Sequence, residues 1–270
     1  MTYRSSVGQS IVHERYRAEL ADWPVPSDQR FVDTRQGPTF VVSSGPAEAP
    51  PLVLLHGSAG TTLDWAYDVP AWAEHFRVHA IDGISEPGLS ASPRPAIGSP
   101  AYAEWLDDVL DALDIDEFSI VALSLGAWFA LDYATRRPGR VLKMTLLAPA
   151  GFSRQKILPL LPALAVRPFG TWGVRKAVSM VIGPLPAGFD WDKAAFQLLV
   201  QTHFEPRRVK LPVFTDEQLE KLDLLAIVGS KDHMLDSAGT ARRLPGRSVV
   251  VEGAGHLLPS QAERVLEFLR

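Results

Sequence analysis

The chain has 270 residues, 46% hydrophobic and 21% charged, an ordinary globular composition with enough length to bury a sizeable core. Its 27 basic and 31 acidic residues leave a net charge of −4 without a basic block, which argues against nucleic acid or an anionic membrane as a partner. Cysteine is absent, and with it go disulfides, iron–sulfur clusters, thiolate zinc sites and a cysteine nucleophile.

The first 17 residues lack an apolar signal core and are interrupted by Glu14, Arg15 and Arg17. The longest apolar run, 157–166, is broken by Pro159 and Pro162. Neither a secretory signal nor a membrane span is expected, and the cytoplasm is the expected location. Farther along, short apolar runs alternate with longer helix-like segments. Strands are predicted at 31–34, 39–43, 52–56, 78–81, 118–122, 143–148, 224–228 and 248–252. The middle ones are continuous apolar runs, such as Leu52-Val53-Leu54-Leu55, the pattern of parallel strands covered on both faces. Between the fourth and fifth strands, Tyr102, Trp105, Leu106, Val109, Leu110 and Leu113 form the stripe of a helix laid on a sheet. Asp107, Asp108, Asp111 and Asp114 fall elsewhere on that helix and read as a solvated face. A second helix is predicted from about 125 to 137, stopped by Pro138-Gly139, and a last one over 260–269. The alternation predicts a doubly wound α/β fold.

From about Phe152 to Thr215 the rhythm breaks. No core strand is legible there, prolines are frequent, and Phe152, Trp172, Phe189, Trp191, Phe196, Phe204 and Phe214 recur. A linker would be polar, so an inserted helical lid is predicted over 152–215, with 1–151 and 216–270 forming the core. The early segment Trp23-Pro24-Val25-Pro26 is expected to pack on that core.

The segment Ser119-Ile-Val-Ala-Leu-Ser-Leu-Gly126 runs from an apolar strand straight into a helix, with Ser124 at the turn. A strand–turn–helix elbow with small flanking residues pushes such a hydroxyl out above the sheet; the usual pattern is G-x-S-x-G, and here Ala122 takes the first glycine's place. Upstream, the strand at 52–56 ends in His56-Gly57-Ser58-Ala59-Gly60. An oxyanion hole needs backbone N–H groups aimed at developing negative charge; the expected donors are Leu125, after the nucleophile, and Ser58 in this earlier loop. His56 itself is expected to brace the loop. Downstream, strands lead into Gly229-Ser230-Lys231-Asp232 and Gly253-Ala254-Gly255-His256, at the sheet edge where open α/β proteins bind ligands. His256 is predicted to take the Ser124 proton and Asp232 to orient the imidazole, with Asp236 as the alternative acid.

With these residues in the order Ser, Asp, His, the chain resembles the α/β-hydrolase fold superfamily over nearly its whole length. It is most similar within it to bacterial carboxylesterase-like serine hydrolases with a helical cap. The stretch Asp82-Gly-Ile-Ser-Glu-Pro-Gly-Leu-Ser90 resembles the family's D-x-x-G-x-G-x-S segment but carries an insertion, Ser85-Glu86-Pro87, in a loop that the resemblance places beside the site. The resemblance implies an eight-stranded, mostly parallel sheet and hydrolysis of a small-molecule ester. Ser124 stands where haloalkane dehalogenases and epoxide hydrolases of this fold carry aspartate, which disfavours those activities. A C–C bond hydrolase, a perhydrolase, an acyltransferase or a ligand-binding protein that kept the pocket are the alternatives.

No cofactor or metal is expected. Gly253-Ala254-Gly255 lacks the third glycine and the following helix of a dinucleotide site, and His75 and His79 straddle a helix-to-strand change rather than sharing a face. His13, His203 and His233 have no evident partners in the sequence. The residues do not specify an oligomeric state.

Overall fold

In the strand over 51–55 every side chain is apolar, because both faces of the sheet are covered there. Leu52 and Leu54 of one strand pack into one core with Tyr16, Trp65 and Trp72. Val53 and Leu55 of the same strand pack into the other, with Trp105, Phe118 and Trp128. Alternate residues of a strand point to opposite faces, so a continuous apolar run serves two cores at once. The computed structural model from which this emerges describes residues 2–270 except 154, 157–162, 164, 167, 188, 190, 192, 193 and 208.

The strands are β1 (Ser27–Val32), β2 (Thr39–Ser44), β3 (Pro51–Leu55), β4 (Arg77–Ile81), β5 (Phe118–Leu123), β6 (Val141–Leu147), β7 (Leu224–Gly229) and β8 (Ser248–Val251). They form one sheet in the order β1-β2-β4-β3-β5-β6-β7-β8. β2 runs antiparallel to both neighbours, and the remaining pairs are parallel. Each predicted strand is present. The first lies four residues earlier at its start than the sequence suggests, at Ser27 rather than Phe31. Its opening Ser-Asp-Gln-Arg is exposed edge strand, held by pairing with β2 and not by burial, so it carries no apolar signal.

The helices are α1 (Ser6–Ala21), α2 (Val69–Trp72), α3 (Ala101–Ala112), α4 (Leu125–Arg136) and α5 (Gly170–Ile182), then α6 (Ala195–His203), α7 (Asp216–Glu220), α8 (Ser237–Arg243) and α9 (Ala262–Leu269). The aspartates of α3 are more than a solvated face. Asp108 takes Arg35 through Nε at 2.9 Å and Nη2 at 2.7 Å, and Asp107 takes Arg137 Nε at 2.8 Å. Trp23 does pack on the core, with its Nε1 donating to Ser44 Oγ at 3.0 Å.

The large side chains between β6 and β7 divide. Phe152 and Phe214 join the core around Trp128, whereas Phe196 and Phe204 pack with Tyr3 and Tyr16 from the chain's start. Trp172 is 63% exposed, and Phe189 meets Trp191 edge-on. The apolar run at 157–166 lies mostly outside the described residues.

α1 went unread in the sequence. Its Val12, Tyr16 and Leu20 are buried at four-residue spacing, and Ser5 caps it by accepting the Gly8 N–H at 3.0 Å. Tyr16 stacks on Phe196 of α6 with ring centroids 5.5 Å apart. Its hydroxyl donates to Asp82 Oδ1 at 2.8 Å and lies 2.6 Å from Thr62 Oγ1. Asp82, at the end of β4, also accepts the amides of Thr62 at 3.0 Å and Leu89 at 2.8 Å. Burial pushes its carboxyl up to about 6, against the pull of these donors. Tyr16→Phe leaves a buried carboxylate short of a donor and is expected to cost about 1–3 kcal/mol, lowering the midpoint of thermal unfolding by several degrees. An unchanged midpoint would show that the hydroxyl is not needed.

Candidate active site

Where β5 ends and α4 begins, Gly126 faces the end of β3. A Cβ there would lie 2.3 Å from the Leu55 carbonyl oxygen and 2.5 Å from that of His56, so only glycine lets the helix start this close to the strand. Ser124 pays for that crossing in backbone conformation: it sits at φ 51° and ψ −108°, a region that non-glycine residues rarely adopt. Its N–H donates to Leu147 O at 2.9 Å and its carbonyl accepts Ala150 N–H at 3.2 Å, which ties the turn to β6 and the loop after it. Ala122, in place of the usual glycine, is fully buried within the apolar core, where a methyl group is accommodated.

The three predicted reactive side chains meet here. Ser124 Oγ is 3.0 Å from His256 Nε2, and His256 Nδ1 is 2.7 Å from Asp232 Oδ2. A carboxylate can only accept, so Nδ1 carries the proton and Nε2 is free to take one from the serine. The other oxygen of Asp232 accepts the amides of Met234 at 2.7 Å and Leu235 at 2.9 Å. Burial would raise the Asp232 carboxyl, but the hydrogen bond and charge of His256 and these two amides hold it below the usual carboxylate range. Asp236 is occupied elsewhere: its side chain caps α8 by accepting Gly239 N–H at 3.0 Å. His233 is exposed, with its Nδ1 3.2 Å from Met180 O.

The loop after β3 lies against Ser124, since a Cβ on Gly57 would be 3.4 Å from Ser124 Cβ. Ser58 follows it and is exposed at the surface of the site, and Leu125 opens α4, where first-turn amides have no intrahelical acceptor. His56 braces this loop. Its Nε2 accepts Gly83 N–H at 2.9 Å and its Nδ1 lies 2.9 Å from Gly57 O, linking the loops after β3 and β4. Burial lowers this imidazole to about 4. Of the pair His75 and His79, His79 is buried in β4 with its Nδ1 2.9 Å from Ser43 Oγ, while His75 is exposed. Among the described residues, no group of three or more His, Asp or Glu could hold a metal, and no helix is long and apolar enough to cross a membrane.

Several contacts at the site were not foreseen. The end of α5 touches the histidine loop: His256 N–H donates to Ile182 O at 2.6 Å, and a Cβ on Gly255 would lie 2.5 Å from Pro184 O. Lys156 Nζ donates to the Asp232 carbonyl at 2.8 Å. From α6, Gln197 Nε2 donates to Asp64 Oδ1 at 2.8 Å, and burial pushes that carboxyl up to about 7. All of these join residues far apart in sequence. A local signal existed for one of them, the Gly253-Ala254-Gly255 stretch, whose lack of side chains marks a close backbone approach.

The family model of the alpha/beta hydrolase family matches residues 52–268. The chain belongs to that family, and it is a hydrolase. Carboxylesterase YbfK of Bacillus subtilis is 29% identical over 95% of this chain and 93% of its own length. The crystal structure of the same protein superimposes with a TM-score of 0.81, covering 97% of this chain and 98% of that one. The naproxen esterase (carboxylesterase NP) of B. subtilis gives 0.76 at 28% identity, covering 98% of each chain. A 2-hydroxymuconate semialdehyde hydrolase from a Pseudomonas species is 38% identical, but over 38% of this chain and 38% of its own.

The buried His56 yields a pH-dependent prediction. An unfolded histidine takes up its proton near pH 6.5, whereas the folded one resists protonation down to about 4. The unfolded state therefore binds more protons in that window, and stability contributed by neutral His56 is lost as the pH falls through it. The stability gap between wild type and His56→Gln should shrink by about 3 kcal/mol between pH 7 and pH 4, as measured by chemical denaturation. A gap that does not change with pH would contradict the assignment.

Proposed function

We propose that the chain is a carboxylesterase that cleaves small or hydrophobic carboxylic esters through an acyl-enzyme on Ser124. The observation that carries this reading is the hydrogen-bonded line Ser124–His256–Asp232, at 3.0 and 2.7 Å, on a serine held at φ 51°. Ser124 Oγ attacks the ester carbonyl while His256 Nε2 takes its proton, and Asp232 holds the imidazole by Nδ1 and stabilises its charged form. The amides of Ser58 and Leu125 receive the oxyanion. His256 then gives the proton to the departing alcohol and later draws one from water to release the acid.

The segment 152–215 acts in this reading as a helical cap. Its contacts with the reactive loops support the role, above all the Ile182 carbonyl that takes the His256 amide. Full-length similarity to two bacterial carboxylesterases favours an ester as substrate. The same residues would serve hydrolysis of a C–C bond, and the partial likeness to a semialdehyde hydrolase is the observation on that side.

Labelling with a fluorophosphonate probe tests the mechanism. Wild type should label and Ser124→Ala should not; equal labelling of the two, or none in wild type, rejects it. Asp232→Asn should lower kcat on the order of 10³–10⁴-fold, because the histidine loses its oriented tautomer. Aryl esters of short and long acyl chain, assayed beside a vinylogous diketone, separate the two chemistries: the ester reading expects faster turnover of the esters.

A further inference from the structure

Glu86 belongs to the insertion after β4, and no step of the proposed mechanism uses it. It is 4% exposed, yet its Oε2 accepts the N–H of Ala59 at 2.7 Å. Ala59 lies in the loop that follows β3, one residue past Ser58. The N–H of Gly60 donates to the Gly57 carbonyl at 3.1 Å, so Ser58 and Ala59 are the two central residues of a tight turn. Ala59 occupies φ 59°, and it stands at the third position of that turn. A positive φ there is the mark of a type II turn, which favours glycine because a Cβ strains it. With alanine in that place, the alternative is a flip of the Ser58–Ala59 peptide to a type I turn, where the third residue has negative φ. The flip would carry the Ala59 N–H away from Glu86 and swing the Ser58 carbonyl towards its carboxylate.

We propose that Glu86 is a positioning residue for the hydrolytic reaction: by accepting the Ala59 N–H it locks the Ser58–Ala59 peptide in one of its two orientations and so holds in place the turn whose preceding peptide offers the Ser58 N–H to the oxyanion. The peptide is planar, so fixing its N–H fixes its carbonyl and the ψ angle of Ser58 as well. The loop that carries Glu86 is itself held. Glu86 N–H donates to Gly83 O at 3.3 Å, Ser85 N–H to Ala91 O at 3.0 Å, and Tyr3 OH to Pro87 O at 2.5 Å. The glutamate stem runs beside Gly83, where a Cβ would lie 3.6 Å from Glu86 Cγ and 3.5 Å from His56 Cε1. The guanidinium groups of Arg94 and Arg207 pull its carboxyl down, the Ala59 amide more so, but burial outweighs both and leaves it at about 7. The carbonyl oxygen of a neutral acid or amide accepts the same N–H, so the bond does not require the negative charge.

The role rests on the carboxylesterase reading, and its test separates the two. Active serines are first counted by complete fluorophosphonate labelling, so any misfolded fraction drops out of kcat. Glu86→Ala removes the acceptor and Glu86→Asp withdraws it by one methylene, whereas Glu86→Gln keeps an oxygen in place. The first two should lower kcat per labelled site at least tenfold and weaken inhibition by phenylboronic acid, whose tetrahedral serine adduct fills the oxyanion site, with KM within about threefold of wild type; loss of a whole donor costs about 10²–10³. Glu86→Gln should stay within about threefold in all three measurements. If Glu86→Ala does not fold, the contrast between Glu86→Asp and Glu86→Gln decides. Wild-type kcat and boronate affinity in the shortened variants, or a Gln variant as impaired as the Asp one, overturns the positioning role alone. A wild type that neither labels nor turns over any ester overturns the carboxylesterase reading and this role with it.

Discussion

At the turn between β5 and α4, Gly126 lies so near the carbonyls of Leu55 and His56 that no side chain fits between them. The remaining features of the site follow from that approach. It brings the loop after β3 against Ser124, and it forces the serine into a left-handed conformation that costs about 1–3 kcal/mol. That cost is offset by anchors on both sides, namely the Ser124 amide on Leu147 and the Ser124 carbonyl on Ala150. The strained turn also starts α4 directly after Ser124, and the first-turn amides of a helix have no acceptor within it. One packing constraint thus sets where the Ser124 hydroxyl and the start of α4 lie.

Asp232 and His256 are fixed by a second constraint, the convergence of β7 and β8. Gly229 has no room for a Cβ, which would lie 2.1 Å from Gly255 O, and this brings the loop bearing Asp232 against the loop bearing His256. Asp232 spends one oxygen on its own loop's amides and the other on the imidazole. It is therefore oriented before any substrate arrives. Ile182 adds a third support from outside the sheet by taking the His256 amide, so His256 is held by the core and by the intervening segment together.

Much of this was legible in the sequence because it is local. Leu52–Leu55 and Leu224–Val228 announce buried parallel strands by their uninterrupted apolar character, and Ser124, Asp232 and His256 each stand where such a strand gives out. What escaped was carried by other physics. The start of β1 is held by ladder hydrogen bonds along an exposed edge, which leave no apolar trace in Ser27-Asp28-Gln29-Arg30. α1 buries a narrow stripe, Val12, Tyr16 and Leu20, diluted by the charges around it. Glu86, Asp64 and Tyr16 are polar groups whose partners lie in distant loops; a lone carboxylate in an insertion does not reveal which amide it will meet.

α1 and the residues just before it touch both segments that flank Ser124. Tyr16 and Tyr3 meet Phe196 and Phe204 of the intervening segment on one side, and on the other their hydroxyls take Asp82 and the Pro87 carbonyl in the loop that carries Glu86. One short stretch of chain, 3–16, thus supports both the α6 side and the Glu86 side of the space around Ser124.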